Sequence, residues 1–158
     1  MPLLFEELRV LQAAEKIADA VWSEVNTWEP FARDTIGKQM VRAIDSIGAN
    51  IAEAYGRYHY GERLRFFYYA RGSLYETKYW LNRTKTRGLA TEQQIQIYIE
   101  QISGLAHQLN TVIMITKQQR HSESTNQIRE NQAAYRLEDD NPHPLFTPED
   151  LNWLQSSP

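Results

Sequence analysis

Cysteine is absent from the 158-residue sequence, which removes disulfides, thiolate metal sites and thiol nucleophiles together and suits a reducing compartment. Histidine is scarce. His59, His107, His121 and His143 are scattered, with no His-x-x-x-His or Glu-x-x-His ligand spacing among them. The few glycines form neither standard phosphate-loop spacing nor a Gly-x-Ser-x-Gly elbow. No stretch approaches the roughly 18 uncharged apolar residues of a membrane span. The opening MPLLFEELRV carries acids at once and lacks a basic start followed by an apolar run, so no signal peptide is expected. The expected location is the cytoplasm. No cofactor and no metal are expected. Ser46, Ser73 and Ser103 have no evident base and read as small residues at helix contacts, so with no converging catalytic group the chain is not expected to be an enzyme.

What is present is helical periodicity. Hydrophobic residues make up 42% and charged residues 23%, enough apolar content for one real core. From Leu3 to about Asn26, Leu4, Leu8, Leu11, Ala18, Val21 and Val25 recur three or four apart, with Ile17 and Trp22 widening the stripe. Pro30 then interrupts, since proline lacks the amide hydrogen and biases its predecessor out of helical geometry. A second segment starts between Phe31 and Asp34, with Asp34 at the cap or in the first turn. Met40, Val41, Ile44, Ile47, Ile51 and Tyr55 lie on one side of it, and Gly48 shares that side, which points to a close helix approach or a bend. Glu53 is placed to meet Arg57, Arg63 or Arg71 in a structural network.

The third segment, Gly61 to Thr86, spaces Phe67, Leu74 and Leu81 seven apart with Ala70, Thr77 and Thr84 between, a heptad-like seam. Gly88 suits the left-handed cap that ends it. Thr91 and Gln94 stand in capping-box spacing before the fourth segment. Ile95, Ile102, Leu105, Leu109 and Val112 lead its apolar stripe, which is expected to stop between Thr116 and Arg120. Four long helices with short links predict an all-α, antiparallel up-down four-helix bundle with a C-terminal extension. The expected organisation is a bundle over 1–118, a flexible arm over 119–144 and a short helical docking segment over 145–155. In that last segment Thr147 caps and Pro148 opens a helix. Its apolar residues Phe146, Leu151, Trp153 and Leu154 are candidates for docking on this chain, on another copy or on a second protein. A scaffold working through that tail, without nucleic acid, is the competing reading of function.

Charge is uneven along the chain. Residues 1–117 carry 14 Lys and Arg against 13 Asp and Glu, whereas residues 118–158 carry 3 against 7. Residues 57–87 hold eight bases (Arg57, Arg63, Arg65, Arg71, Lys78, Arg83, Lys85 and Arg87) against two acids, Glu62 and Glu76. Local charge sets what a face attracts. Tyr58, Tyr60, Tyr68, Tyr69, Tyr75 and Tyr79 interleave with those bases. Guanidinium groups hold phosphates and aromatic faces stack on unpaired bases, so the eight are the candidate nucleic-acid contacts. The plain alternative is a solvated basic face beside a packing interface.

The run Gln39-Met40-Val41-Arg42-Ala43-Ile44-Asp45-Ser46-Ile47-Gly48-Ala49-Asn50-Ile51-Ala52-Glu53-Ala54, followed by Gly56-Arg57, Phe66 to Ala70 and Gly72-Ser73-Leu74-Tyr75-Glu76, resembles a known family. It is similar to the bacterial four-helix-bundle proteins encoded in intervening sequences of 23S ribosomal RNA genes, relatives of the accessory variability proteins of diversity-generating retroelements. The likeness spans about residues 3–117. Two departures stand out: Gly48 where the family often has proline, and Ala54 where it often has glycine. The resemblance implies a homopentamer with a basic surface and, in the retroelement branch, binding to RNA and to a reverse transcriptase. It also implies no cofactor and no catalytic residues.

Overall fold

The computed structural model describes residues 5–139, with side chains described for 9–132, and all of its regular elements are helices. These are α1 (Phe5–Val25), α2 (Pro30–Ala32), a π-helix (Arg33–Gly37), α3 (Lys38–Gly56), α4 (Tyr60–Thr86) and α5 (Glu92–Asp139). The chain divides into two compact units, Met1–Arg120 and His121–Pro158.

The first unit is the four-helix bundle. Its helix directions follow from which residues meet. Val25 of α1 lies against Gly37 and Ala14 lies against Gly48, so α1 and α3 run in opposite senses. Thr84 donates to the Met40 sulfur at 3.5 Å and Phe67 packs edge-on to Tyr55, which sets α4 antiparallel to α3. Lys85 meets Glu92, and Lys117 lies over Tyr68, so α5 returns along α4. Gln94 reaches Glu24, and the Tyr98 hydroxyl donates to the Ala20 carbonyl, closing the circuit back to α1.

The heptad seam on α4 packs as its spacing requires: Phe67, Ala70, Leu74, Thr77, Leu81 and Thr84 are all buried. Opposite them lie Met40, Ile44, Ile47 and Ile51 of α3, with Leu105, Leu109 and Val112 of α5 in the same core. Full burial of each such aliphatic side chain contributes about 1.5–3 kcal/mol. The threonines satisfy their hydroxyls within the helix, Thr77 on the Ser73 carbonyl and Thr84 on the Trp80 carbonyl, so polar atoms enter the core without an unmade bond.

Helix ends follow local chemistry. Gly88, at φ 65°, takes the left-handed turn after α4. The Thr91 hydroxyl accepts from the Gln94 amide while the Gln94 side chain accepts from the Thr91 amide, completing the capping box. Between α1 and α3 the chain departs from a plain helix start. Pro30 occupies the first helical turn behind Glu29, and the Lys38 amide then bonds back five residues to Arg33, which makes the π-turn. Asp34 sits inside that turn rather than capping a helix. Gly37 is what lets the turn press on α1: a Cβ there would lie 2.6 Å from Val25 Cγ1.

Three further differences have physical causes. Trp22 does not widen the α1 core stripe: it is 58% exposed, and Val10 and Ala14 are buried instead, because the buried face of α1 is set by its two helical neighbours. Gly48 does not mark an obligatory close approach, since a Cβ there would meet Ala14 Cβ at an ordinary 3.9 Å. Low apolar content places the fourth helix's end by Arg120 and a flexible arm over 119–144, yet the described part of that span is helical to Asp139. No glycine or proline occurs between Gly104 and Pro142, and the Gln, Glu, Arg and Ala residues there favour helix without needing a core. Residues 140–144 and the 145–155 segment, with Phe146, Leu151, Trp153 and Leu154, lie outside the described residues.

Candidate nucleic-acid interface

The eight basic candidates fall into separate groups. Arg57 and Arg63 serve the α3–α4 corner. Arg57 pairs with Glu53 one turn back and lies 4.8 Å over the Phe66 ring. Arg63 is buried and donates through Nε to the Arg57 carbonyl at 3.0 Å, holding the bend between the helices. Of the three partners open to Glu53, the structure selects Arg57.

Arg65 and Arg83 lie with Tyr69 and Tyr79. Arg65 Nε donates to the Tyr69 hydroxyl at 2.7 Å, and the Arg83 guanidinium stands 5.7 Å from the Tyr79 ring. Arg83 Nε is buried without a hydrogen-bond partner. Glu76 shares this flank and accepts from the Trp80 indole, diluting its positive charge.

Arg71, Lys78 and Lys85 form the third group. Spaced seven apart, they share one flank of α4, about 10 Å from one to the next. Each of the first two follows a tyrosine by three residues, Tyr68 before Arg71 and Tyr75 before Lys78, so cation and ring are helix-surface neighbours. The Arg71 guanidinium lies 4.9 Å from the centre of the Tyr68 ring. Tyr75 is 65% exposed. Lys85 is spent on Glu92 at 2.8 Å, and that bond holds the Glu92 carboxyl below its ordinary range. Arg87 is exposed at the C-cap of α4.

The bundle adds cations to this flank that lie far away in sequence. Lys117 of α5 comes within 5.8 Å of the Tyr68 ring centre. Arg120 places its guanidinium 3.8 Å from where a Gly61 Cβ would be, one heptad before Tyr68. Among the described residues Arg71, Lys78 and Lys117 have no carboxylate partner. A charged strip with tyrosines set into it therefore runs along the α4–α5 side. It offers point charges and forked donors for phosphates and ring faces for bases. Antiparallel return of α5 brings Lys117 there, which no local spacing signals.

A family model for the 23S rRNA-intervening sequence protein matches residues 6–111, from α1 into α5. The chain belongs to that family. As a member it shares its fold with a protein of unknown function from the S23 ribosomal protein family of Bacteroides thetaiotaomicron VPI-5482, whose crystal structure superposes with a TM-score of 0.62. The two are 22% identical, and the match covers 70% of this chain and 99% of that one. No curated protein matches the chain. Among the described residues no group of three or more His, Asp or Glu could hold a metal ion, and no helix is long and apolar enough to cross a membrane.

Proposed function

We propose that this family member is a non-enzymatic RNA-binding accessory protein whose contact surface is the flank of α4 carrying Tyr68, Arg71, Tyr75 and Lys78, extended by Lys117 of α5. The observation that carries the reading is the repeated tyrosine-then-cation pair in successive heptads, with three cations that no carboxylate neutralises. Membership of a family named for ribosomal RNA intervening sequences supports RNA as the ligand. Phosphates supply the affinity and unpaired bases stack on exposed Tyr75, which favours single-stranded or loop RNA over regular duplex. Arg57, Arg63 and Arg83 support the surface, while Arg65, Lys85 and Arg87 add long-range attraction.

Assembly into a homo-oligomeric ring, a pentamer by the family resemblance, belongs to the same proposal, as does partnership with a reverse transcriptase. Repeated copies multiply weak phosphate contacts through effective concentration. A solution mass measurement reads the copy number, and co-purification with a reverse transcriptase reads the partner.

The decisive experiment is a mobility-shift titration of the full chain with single-stranded RNA at several salt concentrations. Combined Arg71→Glu, Lys78→Glu and Lys117→Glu is expected to weaken binding. The variant should also flatten the log–log salt slope by roughly 2, at about 0.7 per lost phosphate contact. Unchanged affinity and slope in a variant that keeps its helical circular dichroism would refute the assignment.

A further inference from the structure

A second surface joins an exposed aromatic ring to positive charge, at the end of the bundle where α1 meets the π-turn. There a cleft of about 280 Å³ opens between Trp22 and Val25 of α1, Arg33 of the π-helix, and Lys38, Val41 and Arg42 of α3. Trp22 is 58% exposed, so its indole face is open at the mouth of the cleft. Asp34, the acid in the lining, pairs with Arg33 at 3.6 Å. Lys38 and Arg42 are left without a carboxylate partner among the described residues.

The backbone builds this cleft. Arg33, Asp34 and Gly37 belong to the π-helix and Lys38 is its cap, and a π-turn inside a helix is a costly irregularity that often marks a functional site. The turn is seated by Gly37 against Val25, which brings the cations of one helix to the indole of the other.

We infer that this cleft binds a single unpaired nucleotide, with the base stacked on Trp22 and the phosphate held by Lys38 and Arg42. An apolar protein segment would bury those charges uncompensated, and a bare anion would leave the indole face unused. A nucleotide satisfies both halves, through stacking on an aromatic face and charge-assisted bonds to phosphate. The site shares no residue with the α4 flank and does not depend on it.

The test is a titration of the isotope-labelled full chain with 5′-AMP, following the tryptophan indole signals by NMR. The signal that disappears in Trp22→Phe is expected to shift saturably. Lys38→Glu with Arg42→Glu should weaken that shift by about tenfold or more, the loss of one or two charge-assisted contacts. Arg71→Glu with Lys78→Glu should leave it intact, so failure here and failure of the α4 reading are separable. Several results would overturn the inference: no saturable Trp22 shift, a shift indifferent to the Lys38 and Arg42 reversals, or inorganic phosphate alone reproducing the whole shift. Shielding of the Trp22 indole from acrylamide in the free chain would do so too, because the cleft would then be covered by another protein surface.

Discussion

Helix α3 has two packed sides that follow different rules. Towards α4 it meets large side chains in register, with Phe67 fully buried and edge-on to Tyr55, and Met40 accepting from Thr84. Towards α1 it presents Gly48, Ala49 and Ala52 across a groove of about 580 Å³, facing Ala14 and Ala18, with Asp19 and Asp45 also lining it. One side is filled and the other is spaced. Stability should therefore be concentrated on the α4 side, while the α1 side tolerates change except where the π-turn seats on Val25.

The largest test of that contrast is Phe67→Ala. Removing a fully buried ring from the filled side should cost about 3–5 kcal/mol in urea unfolding. A loss below 1 kcal/mol would mean that the seam collapses around the gap and is not the tight side.

Gly37→Ala probes the exception. A Cβ placed 2.6 Å from Val25 Cγ1 forces the turn or α1 to move and should cost about 1–3 kcal/mol. It should also disturb the Trp22 indole signal. Gly48→Ala, in α3 and also facing α1, should do the reverse. Its new methyl meets Ala14 at 3.9 Å, so stability should rise by up to about 1 kcal/mol from helix propensity. If the two alanine variants shift the unfolding midpoint in the same direction, the α1 side is uniform and the contrast fails.

Asp45→Asn gives the smallest effect, below about 1 kcal/mol, as expected for partly exposed charges. Burial, and secondarily the neighbouring Asp19, raise the Asp45 carboxyl above its ordinary 3.8. The folded state therefore holds that proton more tightly than the unfolded chain does. The favourable contribution of Asp45 is present below 3.8 and is lost as pH rises through the raised folded value. Relative to the parent chain, the asparagine variant should gain stability at neutral pH. That gain should shrink on acidification and vanish below 3.8, as read from paired urea titrations at pH 7 and pH 3. A gain equal at both pH values would show that charge at the groove is irrelevant.

Much of this was legible locally. The α4 seam, the Gly88 turn and the Thr91–Gln94 box are consequences of spacings shorter than two helical turns, and they appear where the periodicity puts them. Most of the candidate surface was legible in the same way, since Tyr68, Arg71, Tyr75 and Lys78 share a flank by helical spacing alone. Lys117 and Arg120 were not, because they reach Tyr68 and Gly61 only through the antiparallel return of α5. Nor was the assignment of Arg57 and Arg63 to the α3–α4 corner, which rests on a carbonyl and a ring supplied by the bend. Trp22 was misplaced because a helical stripe shows which residues are apolar, not how wide a face its neighbours cover.

The sequence by itself determined that the chain is helical, where α4 and α5 begin to within a residue or so, and which residues line the seam of α4. Those outcomes depend on hydrogen bonds and side-chain spacing within a few residues. Only the tertiary structure decided which cations stand free of carboxylates, that Lys117 joins Tyr68, and that a π-turn sets Lys38 and Arg42 beside an exposed Trp22. Those outcomes depend on how helices distant in sequence pack, and a side chain's electrostatic surroundings are set by its neighbours in space.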